Sequence, residues 1–216
     1  MQLGNMREDY QQGELLESEV SSNPFKQFEN WFQTALTSDL TEPNAMLIAT
    51  VNGDGSPSMR TVLMKDFSEA GFVFYTNFNS RKGKDIEANP QVALLFYWGT
   101  LERQIRIEGR AERVPSEIAD GYFHSRPRSS QIGAHASPQS QVIPDRDFLQ
   151  DQLRDLEAQF ADHEIPRPEH WGGYCIKPVY FEFWQGRSSR LHDRICYRQI
   201  QTKGKPSHWQ VERLAP

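Results

Sequence analysis

The chain has 216 residues with 24 Lys and Arg against 29 Asp and Glu, a net charge of -5 and two cysteines. An acidic balance excludes binding to nucleic acid or to an anionic membrane by bulk charge, so local basic clusters point to small anions. No apolar run can span a bilayer, and two cysteines without a C-x-x-C pair exclude a disulfide scaffold or a zinc site of familiar spacing. Cys175 and Cys196 are therefore expected as reduced thiols. The polar N-terminus is unlike a signal or transit peptide, which makes a cytoplasmic location the expectation. Aromatic residues are 12% of the chain, so rings must supply much of the core, and flat aromatic surface also suits a flat cofactor or a dimer interface.

Residues 1–22 are acidic and poor in apolar side chains, and are expected to be a mobile segment ahead of one domain over 23–216. Asn23-Pro24 predicts a helix start, with Phe25, Phe28, Phe32, Ala35 and Leu36 at helical spacing. Ala45 to Val51 reads as a strand, Asn52-Gly53-Asp54-Gly55 as a hairpin turn and Ser58 to Lys65 as the returning strand. A loop over 66–71, a strand over Phe72 to Thr76 and a short helix over Ser80 to Asn89, stopped by Pro90, come next. Strands follow at Val92 to Trp98 and Leu101 to Val114, then helices at Pro115 to Ser125 and Asp145 to Phe160. The latter carries Phe148, Leu149, Leu153, Leu156 and Phe160 on one face. Four strands close the chain, at Tyr174 to Lys177, Tyr180 to Gln185, Arg194 to Gln199 and Trp209 to Leu214. Strands that do not alternate regularly with helices predict an α+β fold, an antiparallel closed or split β-barrel with surrounding helices.

The sequence lacks a dinucleotide glycine fingerprint, a Walker lysine, a G-x-S-x-G elbow and paired histidines at metal-ligand spacing. What it has is two sets of phosphate-type donors. Arg60 and Lys65 share one strand, and Thr76, Arg81 and Lys82 surround a helix start, where free backbone N-H groups favour an anion. Arg60 and Lys65 have opposite parity, which in a regular strand turns them to opposite faces and so to different ligands. Tyr122, Arg126 and Ser130 form the second set, with a helix break enforced by Pro127. An exposed basic helix would also account for Arg81 to Lys84, and a capped helix-turn-helix for Tyr122 to Ser130. A third concentration lies in FEFWQGRSSRLHDR, Phe181 to Arg194, where an aromatic strand runs into Arg187, Arg190, His192, Asp193 and Arg194.

This last stretch resembles the C-terminal signature of the pyridoxine 5′-phosphate oxidase family, FMN enzymes that form pyridoxal 5′-phosphate. RTVLMK at Arg60 to Lys65, YFHSRPRSSQIGA at Tyr122 to Ala134 and the ending WQVERLAP agree with it. The resemblance implies a homodimeric FMN-binding split barrel that oxidises pyridoxine and pyridoxamine 5′-phosphates with O2, releasing H2O2, and NH3 from the amine. It implies FMN against Arg60, Thr61, Val62, Leu63, Met64, Lys65, Tyr75, Thr76, Arg81, Lys82 and Gln104, with Gln139, Ser140, Trp184 and Arg194 from a second subunit. Substrate phosphate is implied at Lys65, Tyr122, Arg126 and Ser130. Arg190, Leu191 and His192 are implied at the pyridine ring, with Arg190 and His192 catalytic, and Arg7 and Tyr10 as part of a lid. Where the family has an Asp before a proline, this chain has Glu42. Two other readings use the same barrel: a flavin or deazaflavin reductase with a different substrate, and a non-enzymatic binder of flavin or pyridoxal phosphate.

Overall fold

The structure, a computed structural model, describes residues 9–202, 204 and 206–216. Helix α1 (Pro24–Leu36) starts where the sequence says it should: the Asn23 side chain accepts from Phe25 N and Pro24 sits in the first turn. It buries Phe28, Trp31, Phe32 and Ala35, whereas Leu36, read as part of that face, is 50% exposed in the last turn. Strands β1 (Ala45–Val51) and β2 (Pro57–Leu63) form the expected hairpin. Gly55 takes φ +82° in its turn, a left-handed conformation that glycine enters without strain.

The region read as a loop contains a short strand, β3 (Asp66–Ser68), paired with β4 (Gly71–Asn77). Helix α2 (Arg81–Ala88) is capped by the Ser80 hydroxyl, which accepts from Gly83 N. After β5 (Gln91–Trp98) a 3-10 turn occupies Gly99–Leu101, so β6 (Arg103–Arg113) starts later than the pattern implied. Helices α3 (Ser116–Ser125), α4 (Arg128–Ala136) and α5 (Asp147–Phe160) follow. The two short strands read on either side of Pro178 are one 15-residue strand, β7 (Trp171–Gln185), and the register shift that accommodates it falls at Glu108/Gly109 of β6. Strands β8 (Asp193–Ile200) and β9 (His208–Arg213) complete the chain.

The nine strands form one antiparallel sheet in the order β2-β1-β5-β6-β7-β4-β3, with β8 on β7 and β9 on β8. It curls into a split barrel because β7 changes neighbour: its first half pairs with β4 and its second half with β8, while β6 follows both. Phe72, Phe74, Phe96, Trp98, Phe181 and Phe183 fill the interior, and α1 lies against it. Phe28 meets Phe72, Phe67 and Phe96 edge-on at 4.8, 4.9 and 5.1 Å, and each ring so buried contributes about 1.5–3 kcal/mol. A second cluster, Phe123, Ile132, Ile165 and Trp171, joins α3 and α4 to the start of β7, with Leu153, Leu156 and Phe160 of α5 packed on it. No residue of α5 is fully buried. Arg128 fixes the end of that helix by donating to the carbonyls of Phe160, Ala161 and His163.

Residues 9–22, read from composition as a mobile segment, lie along the outside of the barrel. Leu15 is buried in the core, and Arg213 donates to both carboxylate oxygens of Glu17 and to the carbonyl of Leu15. Cys175 and Cys196 are free thiols.

Candidate active site

A cavity of about 640 Å³ opens where the end of β2, strand β4, the start of α2, the α3–α4 junction and the start of β7 meet. Its wall includes Thr61, Val62, Leu63, Lys65, Tyr75, Thr76, Lys82, Tyr122, Arg126, Ser130 and Gln139, which unites most of both expected donor sets.

The first set surrounds the start of α2. Lys82 donates to Thr76 Oγ1 at 3.2 Å and to Gln139 Oε1 at 3.0 Å, and among the described residues no carboxylate pairs with it. Burial, and then Arg60, lowers its pKa. Arg60 is held by its own chain: it donates to Thr50 Oγ1 and Ser58 Oγ at 2.7 Å each and to the carbonyls of Ser58 and Ile48. Asp85, buried beneath, accepts from the Thr50 hydroxyl at 2.7 Å and lies 3.8 Å from Arg60. Burial lowers the Arg60 pKa, Asp85 opposes that and Arg81 reinforces it. Arg60 over the buried Asp85, with Lys82 and Arg81 at the start of α2, makes a cationic helix start, an arrangement that fits a phosphate dianion. The cofactor implied by the resemblance carries such a group, and the donors present suit it.

The second set uses the helix break. Arg126 is the extended residue that ends α3, and Pro127 starts α4, so Tyr122, Arg126 and Ser130 converge from two helices. Arg126 lies over the Trp171 ring at 4.6 Å, and its buried NH1 has no hydrogen-bond partner. Burial lowers its pKa, with Tyr122 opposing. An orphaned donor at a cavity wall is the signature expected of a residue whose acceptor is a ligand. Tyr75, Tyr122 and Trp171 are nearly parallel, with Tyr75–Tyr122 centroids 3.9 Å apart. Burial, and then Tyr122, raises the Tyr75 pKa. Lys65 lies beyond the end of β2, with its N-H donating to the Val73 carbonyl. It does diverge from Arg60, which is absent from the cavity wall, but strand parity is not the cause.

The third group sits at the far end of β7. Trp184 and His192 rings are 4.7 Å apart, and Tyr10 packs against both, at 5.8 and 5.7 Å. The backbone N-H of Arg187 donates to His192 Nδ1 at 3.1 Å. A main-chain N-H can only donate, so Nδ1 carries the lone pair and the neutral ring has its proton on Nε2. Arg190 is exposed at φ +62°, and Leu191 is 70% exposed. Arg194 donates to the buried carboxylate of Glu182 at 2.9 Å, which Arg106 also pairs at 3.0 Å. Burial pushes the Glu182 pKa up, but hydrogen bonds led by Arg194 outweigh it and leave it lowered.

Several expected residues fall differently. Gln139, assigned by resemblance to a second subunit, bonds Thr76 and Lys82 of its own chain, whereas Gln104 is paired with Trp184 across β6 and β7 and belongs to the third group. Met64 turns into the core, Ser140 is exposed at φ +71° and Arg81 is exposed beside the cavity. Glu42 is exposed, with its carbonyl accepting from Ala45 N. Arg7 lies outside the described residues. Sequence reasoning missed Trp171, Thr50 and Asp85. Only the W-G-G run at 171–173 hinted at the first: a Cβ on Gly173 would lie 2.8 Å from the Tyr75 ring.

Residues 32–160 match the family model described as pyridoxamine 5′-phosphate oxidase, and residues 171–216 match the pyridoxine 5′-phosphate oxidase C-terminal dimerisation region. The chain is 52% identical to a pyridoxine/pyridoxamine 5′-phosphate oxidase of Acaryochloris marina, covering 99% of this chain and 95% of that one. It is 50% identical to the protein of that name from Bordetella pertussis over 100% of both. Among solved structures, PhzG from Burkholderia lata, in complex with tetrahydrophenazine-1-carboxylic acid, is similar with a TM-score of 0.85 and 29% identity, covering 94% of this chain and 98% of that one. An FMN-binding protein of Nostoc punctiforme shares the fold at a TM-score of 0.70 and 16% identity, over 91% and 100% of the two chains.

Proposed function

The chain belongs to the pyridoxamine 5′-phosphate oxidase family of oxidoreductases, and from that premise we propose that it oxidises pyridoxine and pyridoxamine 5′-phosphates to pyridoxal 5′-phosphate with FMN and O2. The observation that carries this reading is two separate cation groups in one cavity, one around Lys82 and one around Arg126, as two phosphorylated ligands require. Lys82, Arg81 and the α2 start would hold the flavin phosphate, with Arg60 behind them. Arg126, Tyr122, Ser130 and Lys65 would hold the substrate phosphate. Thr61 to Leu63, Tyr75 and Gln139 would line the space between.

The third group enters from a second copy. Trp171 and Trp184 stand near opposite ends of the 15-residue β7, roughly 40 Å of strand at ~3.3 Å per residue. One chain cannot bring both to the same pyridine ring, so Trp184, Arg190, His192, Arg194 and Gln104 would serve the cavity of a partner in a homodimer. The match of residues 171–216 to a dimerisation region supports that arrangement. Tyr10, packed on Trp184 and His192, would cover the same ring, as the lid reading requires.

Bound FMN would supply the redox capacity, so that two electrons leave the substrate C4′ and reduce O2 to H2O2; for the amine, water would then hydrolyse the oxidised C=N, supplying the aldehyde oxygen and releasing NH3. Orientation and charge are the protein's share. His192 has Nδ1 occupied by the Arg187 N-H, so the proton of the neutral ring is at Nε2, where it would donate to a substrate oxygen or nitrogen. Arg190, exposed on its left-handed turn, would bring a guanidinium to charge developing on the ring. No helix among the described residues is long and apolar enough to cross a membrane, and a cytoplasmic location is part of this proposal. Aerobic turnover of pyridoxine 5′-phosphate with added FMN should give aldehyde and peroxide in equal amounts. Protein that binds FMN and forms neither product would move the reading to a reductase or a carrier.

A further inference from the structure

We propose that Trp171 is a positioning residue for the substrate phosphate: its indole face holds the Arg126 guanidinium at the cavity wall where a carboxylate would otherwise stand. The inference rests on the assignment of Arg126 as a phosphate ligand. Among the described residues no carboxylate pairs with Arg126, and its NH1 is buried without an acceptor. The nearest flat partner is Trp171, 4.6 Å from the guanidinium carbon, with Phe123 farther off at 5.7 Å. A carboxylate would orient the fork by occupying the N-H groups that phosphate needs. A π face orients the same cation and leaves its donors free.

Trp171 is itself rigidly held. Arg167 donates to its carbonyl at 2.6 Å and is anchored in turn by Asp120 at 2.5 Å, while Trp171 N donates to the Pro168 carbonyl. The indole is 7% exposed and lies parallel to Tyr75 and Tyr122, so the residue that aims Arg126 also sets the plane of the phenol beside it.

Steady-state kinetics with pyridoxine 5′-phosphate test this in Trp171→Leu, Trp171→Phe and Arg126→Met, alone and combined, with FMN affinity measured separately. Trp171→Leu is expected to raise KM about tenfold with kcat within about twofold, and Trp171→Phe about threefold, because a benzene face holds the cation less tightly. FMN affinity should not move. In the Arg126→Met background Trp171→Leu should add nothing to KM, since the residue acts through Arg126. Trp171→Phe keeps an aromatic ring in place, so it carries the test if the leucine variant fails to fold. Wild-type KM in Trp171→Phe, or effects of Trp171 and Arg126 that simply multiply, would overturn the proposal. An unchanged KM in Arg126→Met alone would instead remove the phosphate assignment beneath it.

Discussion

Two arginines belong to the donor sets of the cavity, Arg60 behind its wall and Arg126 in it, and their surroundings are opposite. Arg60 has four acceptors from its own chain within 3.3 Å and the buried Asp85 beyond them. Arg126 has aromatic faces and an orphaned NH1. A half-buried guanidinium with its donors satisfied is part of the framework. One left unsatisfied holds its desolvation cost in reserve until an anion arrives. The difference teaches that motif residues of one chemical type divide between building a site and binding at it, and that the division is visible in what each donor already touches.

The comparison breaks most sharply at Arg126. Arg126→Met should raise KM for phosphorylated substrate by roughly 10- to 100-fold, the worth of hydrogen bonds to a charged group, while the ligand-free protein melts at or above the wild-type temperature. A fall in the melting temperature of the free protein would mean that Arg126 is structural after all. Asp85→Asn should act the other way. Losing the buried counter-charge leaves Arg60 uncompensated, so the free protein should lose about 1–2 kcal/mol, and FMN should then raise its melting temperature more than it raises that of the wild type. Equal FMN-induced shifts in the two proteins would show that Asp85 does not balance the site.

The smallest effect is expected where a cation is paired in solvent. Glu17 titrates at about 2 against an ordinary 4.5, chiefly because it accepts hydrogen bonds from Arg213 and then from its own backbone. A carboxyl pKa lowered in the folded state stabilises it above pH 4.5 and ceases to do so as pH falls through about 2. Hydrogen exchange at the Leu15 amide, which donates to Asp193 beside this pair, should be slightly faster in Glu17→Gln. That difference should be constant above pH 5 or so and vanish toward about pH 2; one that persists there would exclude the ion pair as its source.

Much of the barrel was legible because local chemistry and final structure agree. Asn23-Pro24 caps α1, the Asn52 to Gly55 turn joins β1 to β2, and Pro127 breaks α3 from α4. The errors fall where tertiary pairing overrides local signals. Pro178 reads as a strand break, yet β7 continues through it because the register shift opposite, at Glu108/Gly109, takes up the irregularity. The donor sets were legible as residue types at telling intervals, and the signature residues carried the family. Trp171, Thr50 and Asp85 were not, since a tryptophan that backs an arginine 45 positions earlier, as Trp171 does for Arg126, leaves no periodic trace. Subunit attribution was equally illegible: only the folded chain puts Gln139 beside Lys82, through a hydrogen bond, and Gln104 beside Trp184, through the register of β6 and β7.

Gly186 constrains more than the local shape of the chain. A Cβ there would lie 2.8 Å from the Tyr10 ring and 3.0 Å from the Glu102 Cβ, so the berth for Tyr10 is the absence of a methyl group. Two positions at opposite ends of the chain are thereby tied together under sequence drift. A lineage that keeps a large ring at Tyr10 cannot accept alanine at Gly186 without moving it, and one that loses the ring frees Gly186 to vary. Their covariation among descendants would record whether this docking has been selected.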